Sequence, residues 1–152
     1  MRAPILALKG VRLADGPLML FDGVDLALEA RTRACLVGRN GAGKSTLLST
    51  LAGLRKPASG AVLLEGEDAA LLHPRQAALR RAWLGQFQND PFGSTVLETA
   101  LTGRHPHLGR WDWESTRDAE LARGALRAVG LAGMEERQIH TLSGGERQRL
   151  AI

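Results

Sequence analysis

Along residues 18–28, Val24, Leu26 and Leu28 alternate with Asp25, Ala27 and Glu29, a period of two that predicts a strand with one apolar face. Residues 5–13 form an earlier strand, and Asp15-Gly16-Pro17 supplies the turn between the two. Ala34-Cys35-Leu36-Val37 is apolar at every position, the pattern of a central strand covered on both faces, and it stops at Gly38. After a glycine-rich stretch, Lys44 to Gly53 reads as a helix with Leu47, Leu48 and Leu51 on one side, closed by Gly53 and by Pro57 soon after.

Downstream, Ala61 to Leu64 and Ala82 to Gln86 read as strands and Pro74 to Arg81 as a short helix. Thr95-Val96-Leu97-Glu98 is a capping box that opens another helix. Ser115 to Val129 is the best amphipathic segment, with Leu121, Ala125, Leu126 and Val129 at helical spacing beside Arg117, Glu120, Arg123 and Arg127. His105 to Trp113 holds Pro, Gly, two His and two Trp without a period and reads as a surface excursion. Strands alternating with helices predict an α/β fold.

Chemistry enters at Gly38-Arg39-Asn40-Gly41-Ala42-Gly43-Lys44-Ser45-Thr46, which matches G-x-x-x-x-G-K-[ST] between an apolar run and a helix. A triphosphate needs a tight loop without bulky Cβ groups, so that successive backbone N–H groups converge on it where a helix begins. Gly41 and Gly43 make such a loop possible. Lys44 is placed to reach the β- and γ-phosphates, Ser45 to put its hydroxyl on Mg²⁺, and Thr46 to add a phosphate contact. A chance glycine turn before a helix is the bland alternative.

The composition limits the alternatives. The 152 residues are 44% hydrophobic and 24% charged, enough apolar material for a globular domain and wrong for a disordered or fibrous chain. A net charge of +4 is too small an excess to argue for nucleic acid. The lone Cys35 cannot build a disulfide framework, which fits a reducing compartment. No apolar stretch approaches the roughly 18–20 residues of a spanning helix, and Met1-Arg2-Ala3-Pro4 lacks a signal-peptide layout, so a soluble protein is expected.

A second glycine-bearing turn, Leu142-Ser143-Gly144-Gly145-Glu146-Arg147-Gln148-Arg149, leads into a helix. Taken alone it is an ordinary helix cap. Together with the phosphate loop it resembles the nucleotide-binding domain of ABC transporters, whose signature reads LSGGQ. That resemblance implies a P-loop NTPase of the ABC ATPase type with an N-terminal antiparallel β subdomain and a helical signature subdomain. It divides the chain into a core part with the phosphate loop over residues 1–86 and a helical part over residues 87–152. It also implies a dimer in which Leu142, Ser143, Gly144, Gly145 and Glu146 of one copy meet the γ-phosphate held by the other. ATP and Mg²⁺ are the implied cofactors.

The resemblance further implies a glutamine at a strand end whose amide oxygen approaches Mg²⁺. Gln86 and Gln88 are the candidates, and the spacing back from Thr95-Val96 selects Gln86. Thr95 to Glu98, Gly103-Arg104-His105-Pro106-His107-Leu108 and Asp118 to Gly130 resemble the ATPases of iron-siderophore, haem and cobalamin importers. The implied function is ATP hydrolysis powering such import, beneath membrane permease subunits served indirectly by a substrate-binding protein. The implied location is the cytoplasmic face of the cell membrane, with no nucleic acid partner. His105 and His107, with Pro106 between them and no carboxylate or cysteine cluster nearby, offer no complete metal-ligand set.

Two departures qualify the resemblance. Leu13, Ala14 and Asp15 stand where the family carries an adenine-stacking aromatic, so base discrimination is expected to be weak, and Phe21 is assigned to core packing. Nothing matches the four apolar residues followed by Asp-Glu or the later switch histidine, so the catalytic base is expected after Ile152, and a chain ending there is expected to lack hydrolysis and to be poorly soluble. The opening from Val11 to Gly41 is also similar to soluble ABC-F proteins, which act on ribosomes or nucleic acid. A non-hydrolysing nucleotide-binding fragment is the third reading.

Overall fold

The computed structural model describes residues 3–86, 93–109 and 111–152, arranged in two compact units, Met1–Ala82 and Trp83–Ile152. The first unit is built on a four-stranded antiparallel sheet in the order β2-β1-β3-β4. Its strands are β1 (Leu6–Asp15), β2 (Leu18–Leu28), β3 (Ser59–Leu64) and β4 (Glu67–Asp68). β1 and β2 form a hairpin whose register runs from Leu6 opposite Leu28 to Asp15 opposite Leu18. The helix α1 (Lys44–Leu51) packs on this sheet, and Leu8, Val11 and Leu13 of β1 join Leu47, Leu51 and Val62 in one buried cluster. Each fully buried leucine contributes roughly 1.5–3 kcal/mol. A second helix, α2 (Pro74–Arg80), starts at a capping box formed by His73 and Gln76.

The second unit is helical. It contains α3 (Val96–Thr102), α4 (Thr116–Ala128) and α5 (Gly144–Leu150), with short 3₁₀ turns at His105–His107 and Ile139–Thr141. Each helix begins with a side-chain cap of the S/T-x-x-[DE] kind, at Thr95 with Glu98, Ser115 with Asp118, and Ser143 with Glu146. Val96, Leu126, Leu131, Ile139 and Leu142 form its buried core.

Four expectations change. Residues 34–37 are not a strand: the backbone there is irregular, Cys35 is exposed and Val37 is 85% exposed. A strand exists through its ladder, and among the described residues no segment pairs with this one. Residues 82–86 are irregular for the same reason. On α1, Leu48 turns outward while Leu47 and Leu51 are buried. On α4 the buried stripe is Asp118, Ala122 and Leu126, so Leu126 of the pattern is buried while Leu121 and Ala125 face outward, and the Asp118 carboxylate pairs with Arg104 at 2.8 Å.

Candidate nucleotide-binding site

The loop before α1 has the geometry that the motif requires. Gly41 and Gly43 take φ of 82° and 81°, the left-handed region that other residues rarely enter. At Gly43 a side chain is disfavoured twice, because a Cβ would also lie 3.0 Å from Phe21 Cε2 and 3.4 Å from Leu20 Cδ1, so that the Phe21 ring would have to give way by a few tenths of an ångström. Leu20 and Phe21 of β2 thus form the shelf on which the loop rests. Phe21 is half-buried against the sheet core, which agrees with the packing role expected of it.

Gly43 caps α1 with no side-chain hydrogen bond. The first-turn N–H groups of an α-helix have no intrahelical acceptor, and here no Ser, Thr, Asp or Asn side chain closes them off. The Lys44 ammonium folds back over the loop and donates to the carbonyls of Gly38 and Arg39, both at 2.7 Å. The Ala42 N–H donates to the Arg39 carbonyl at 3.2 Å, which tightens the turn. Ser45 is exposed, and Thr46 is anchored by its own carbonyl, which accepts the hydroxyls of Ser49 and Thr50 at 2.9 Å each. The result is a compact cationic cradle with oxygen and N–H groups at its rim, suited to a polyphosphate.

The signature turn lies in the second unit. Leu142 is buried in the core and fixes the entry of the chain. The Ser143 Oγ accepts the Glu146 N–H at 3.3 Å, and the Glu146 carboxylate accepts the Ser143 N–H at 2.7 Å. These bonds to Ser143, with Arg137 and Arg149 nearby, hold the Glu146 carboxyl below the usual carboxylate range. Gly144 and Gly145 have no positive φ, a Cβ on Gly144 would meet open space, and one on Gly145 would make only ordinary contact with Arg149 at 3.8 Å. Glycine in a helix costs roughly 1 kcal/mol relative to alanine, and nothing among the described residues requires it at either position.

Gln86, of the two glutamine candidates, lines a cavity of about 390 Å³ together with Gly144, Arg147 and Gln148 of α5. The structure therefore brings Gln86 and the signature helix together within the second unit; Gln88 lies outside the described residues. Two arginines not singled out in the sequence buttress the turn: Arg137 donates to the Thr141 carbonyl at 3.0 Å and Arg147 to the Ile139 carbonyl at 3.2 Å. Their charge pattern carries no signal for this, since the acceptors are backbone groups. In the His105 to Trp113 excursion, His105 Nε2 stands 3.6 Å from Glu114, and Trp111 and Trp113 are exposed. Among the described residues, no helix is long and apolar enough to cross a membrane.

Comparison with known proteins places this geometry. The ABC transporter family model matches residues 21–152. The petrobactin import ATP-binding protein FpuD of Bacillus anthracis is 37% identical over 147 residues, covering 95% of this chain and 53% of that protein. The ATP-binding protein Uup of Caulobacter vibrioides is 46% identical over 151 residues, covering 99% of this chain and 21% of Uup. Among solved structures, a metal-chelate type ABC transporter in an inward-facing conformation superposes with a TM-score of 0.77 at 25% identity, covering 99% of this chain and 55% of that one. The chain thus spans about half the length of FpuD and a fifth of Uup.

Proposed function

Because the chain belongs to the ABC transporter family and so to the nucleotide-binding ABC ATPases, we propose that it forms the ATP-binding part of an ATPase that powers import of an iron-siderophore, haem or cobalamin type substrate. The observation that carries this reading is the start of α1, where a glycine-bounded loop leaves a helix N-terminus without a side-chain cap and holds Lys44 above it. The similarity to FpuD, a petrobactin import ATP-binding protein, supports the cargo class.

In this reading residues 1–86 hold the nucleotide and residues 87–152 supply the helical part that answers it. Backbone N–H groups from Gly41 to Thr46 and the Lys44 ammonium bind the phosphates, with Arg39, Asn40 and Ala42 shaping the loop. Ser45 is an exposed, neutral oxygen donor that would hold Mg²⁺ beside the phosphates, and the family resemblance gives Gln86 a role toward the same ion. When bound, that ion neutralises charge on the β- and γ-phosphates. Ser143, Gly144 and Gly145 meet the nucleotide of a second copy, and the two unneeded glycines of α5 are accounted for by that close approach. Closure of the dimer acts on permease subunits at the cytoplasmic face of the membrane, with a substrate-binding protein delivering the cargo.

A second reading, a soluble ABC-F type ATPase, is favoured by one observation: Uup shares 46% identity while this chain covers only 21% of it, which leaves Uup ample length for further domains. Substitution of Lys44 by Ala tests what the two readings share. Removing a charge-assisted contact worth roughly 1.5–3 kcal/mol weakens ATP binding by about tenfold to a hundredfold. Unchanged ATP affinity in Lys44→Ala, measured by titration calorimetry, overturns the assignment of the site.

A further inference from the structure

Arg147 follows the signature glycines and is the place where the second unit leaves a polar group unanswered. One arm of its guanidinium, Nη2, donates to the Ile139 carbonyl at 3.2 Å and so ties α5 to the 3₁₀ turn just before Leu142. The Nε is buried and has no hydrogen-bond partner, which is true of no other buried side-chain nitrogen or oxygen among the described residues. Native proteins rarely leave such a donor unmet, because it has lost its water and gained nothing in return.

Candidate acceptors lie in the cavity that Arg147 itself lines. Besides Gly144, Leu84 and Gly85, its walls hold two side-chain amides, Gln148 and Gln86. Gln148 is the next residue on the same helix, and adjacent helical positions do not face each other. Gln86 comes from a different segment, is exposed, and has an uncommitted amide oxygen. The geometry points to Arg147 as a positioning residue that links Gln86 to the signature turn, with the Gln86 Oε1 accepting the Arg147 Nε–H while Nη2 keeps the Ile139 carbonyl. Arginine is suited to this because its planar fork presents both donors at once, whereas lysine offers a single point charge. A displacement of Gln86 is then passed to Ser143 through one side chain within one unit. This inference rests on the functional reading above, which gives Gln86 and the signature turn their roles, and it adds the connection between them.

The test is made in the intact ATPase. In Gln86→Ala, the Arg147 Nε–H resonance exchanges with solvent roughly tenfold faster than in the unaltered protein, while other arginine Nε–H signals are unchanged. Unaltered exchange at Arg147 overturns the link. In turnover, Arg147→Lys and Gln86→Ala each lower kcat roughly fivefold with KM for ATP unchanged, and the double variant is no slower than either single one. Multiplying losses, or an effect confined to KM, also overturn it, since a merely structural arginine has no reason to share its effect with Gln86. If Arg147→Lys fails to fold, the exchange measurement decides alone, because Gln86 is exposed and its truncation leaves the core intact. Loss of ATP binding in Lys44→Ala together with a multiplying double variant removes this link and leaves the functional reading standing.

Discussion

At the start of α1 no side chain closes the first helical turn, whereas at the start of α5 Ser143 and Glu146 close it on each other. Both helices follow glycine-bearing turns that the proposed function sets against phosphate, so the contrast has a physical meaning. The α1 loop uses conformations open to glycine: Gly43 occupies a left-handed conformation on a shelf of Leu20 and Phe21, and no side chain closes off the first-turn N–H groups. The α5 turn is relaxed and self-satisfied, with a carboxylate already on its positive end. On the proposed function, a nucleotide would complete the first site and would have to compete with Glu146 at the second, so one copy would hold its own nucleotide more strongly than it reaches a partner's.

The largest effect is expected where that contrast rests on a conformation that only glycine enters freely. Gly43→Ala forces an alanine into a φ of 81° with its Cβ 3.0 Å from Phe21, which costs about 1–3 kcal/mol of stability and removes the loop conformation that binds phosphate. Thermal unfolding and ATP titration both register the change. Unimpaired ATP binding in this variant would show that the loop's conformation is not what holds the phosphates.

Much of this contrast was legible in the sequence because its causes are local. The glycine spacing before Lys44 and the S/T-x-x-[DE] patterns at Thr95 and Ser143 act within one helical turn, and the structure forms each where the pattern places it. The turn at Gly16-Pro17 is equally local. The apolar runs 34–37 and 82–86 failed as strands because a strand is defined by a partner elsewhere in the chain, which local pattern cannot supply. The two-residue β4 escaped notice since Glu67 and Asp68 are poor strand formers held only by pairing with β3. Arg147 was invisible in its role because it acts on a backbone carbonyl reached only through the turn's geometry.

Acid separates the two units next. Asp118, Glu98, Glu146 and Glu135 all have carboxyls held below their ordinary range, and all four lie in the second unit. For Asp118 the chief cause is the Ser115 hydroxyl, followed by Arg104. A depressed native value means that these groups stabilise the fold above the ordinary carboxylate range of about 4, and that this contribution is lost as pH falls through the depressed values. The α3, α4 and α5 amide signals are expected to collapse at a higher pH than those of β1 and β2. Asp118→Asn flattens this acid dependence, and simultaneous loss of both units on acidification would contradict it.

Gly144→Ala reverses the sign seen at Gly43. Its Cβ enters open space in a helical conformation, so stability rises by about 0.5–1 kcal/mol. On the proposed function the same methyl would stand where a partner's phosphate approaches closely, so ATP-driven self-association is expected to weaken several-fold, as light scattering would register. A gain in stability with undiminished association would mean that the glycine serves no external contact.

The smallest and most selective change is Glu146→Gln. Glutamine keeps the acceptor that the capping box needs, so the helix loses no more than about 0.5 kcal/mol, but it removes the negative charge from the α5 terminus. If the signature turn meets a partner's phosphate, that charge opposes the encounter, and removing it tightens ATP-dependent association roughly threefold, with a smaller gain at high salt. A parallel titration of ATP onto the α1 loop is unaffected, since that loop draws its affinity from Lys44 and its own N–H groups. Association that weakens in Glu146→Gln would mean that the carboxylate organises the turn for its partner rather than competing with phosphate, and the contrast between the two helix starts would then lie in backbone conformation alone.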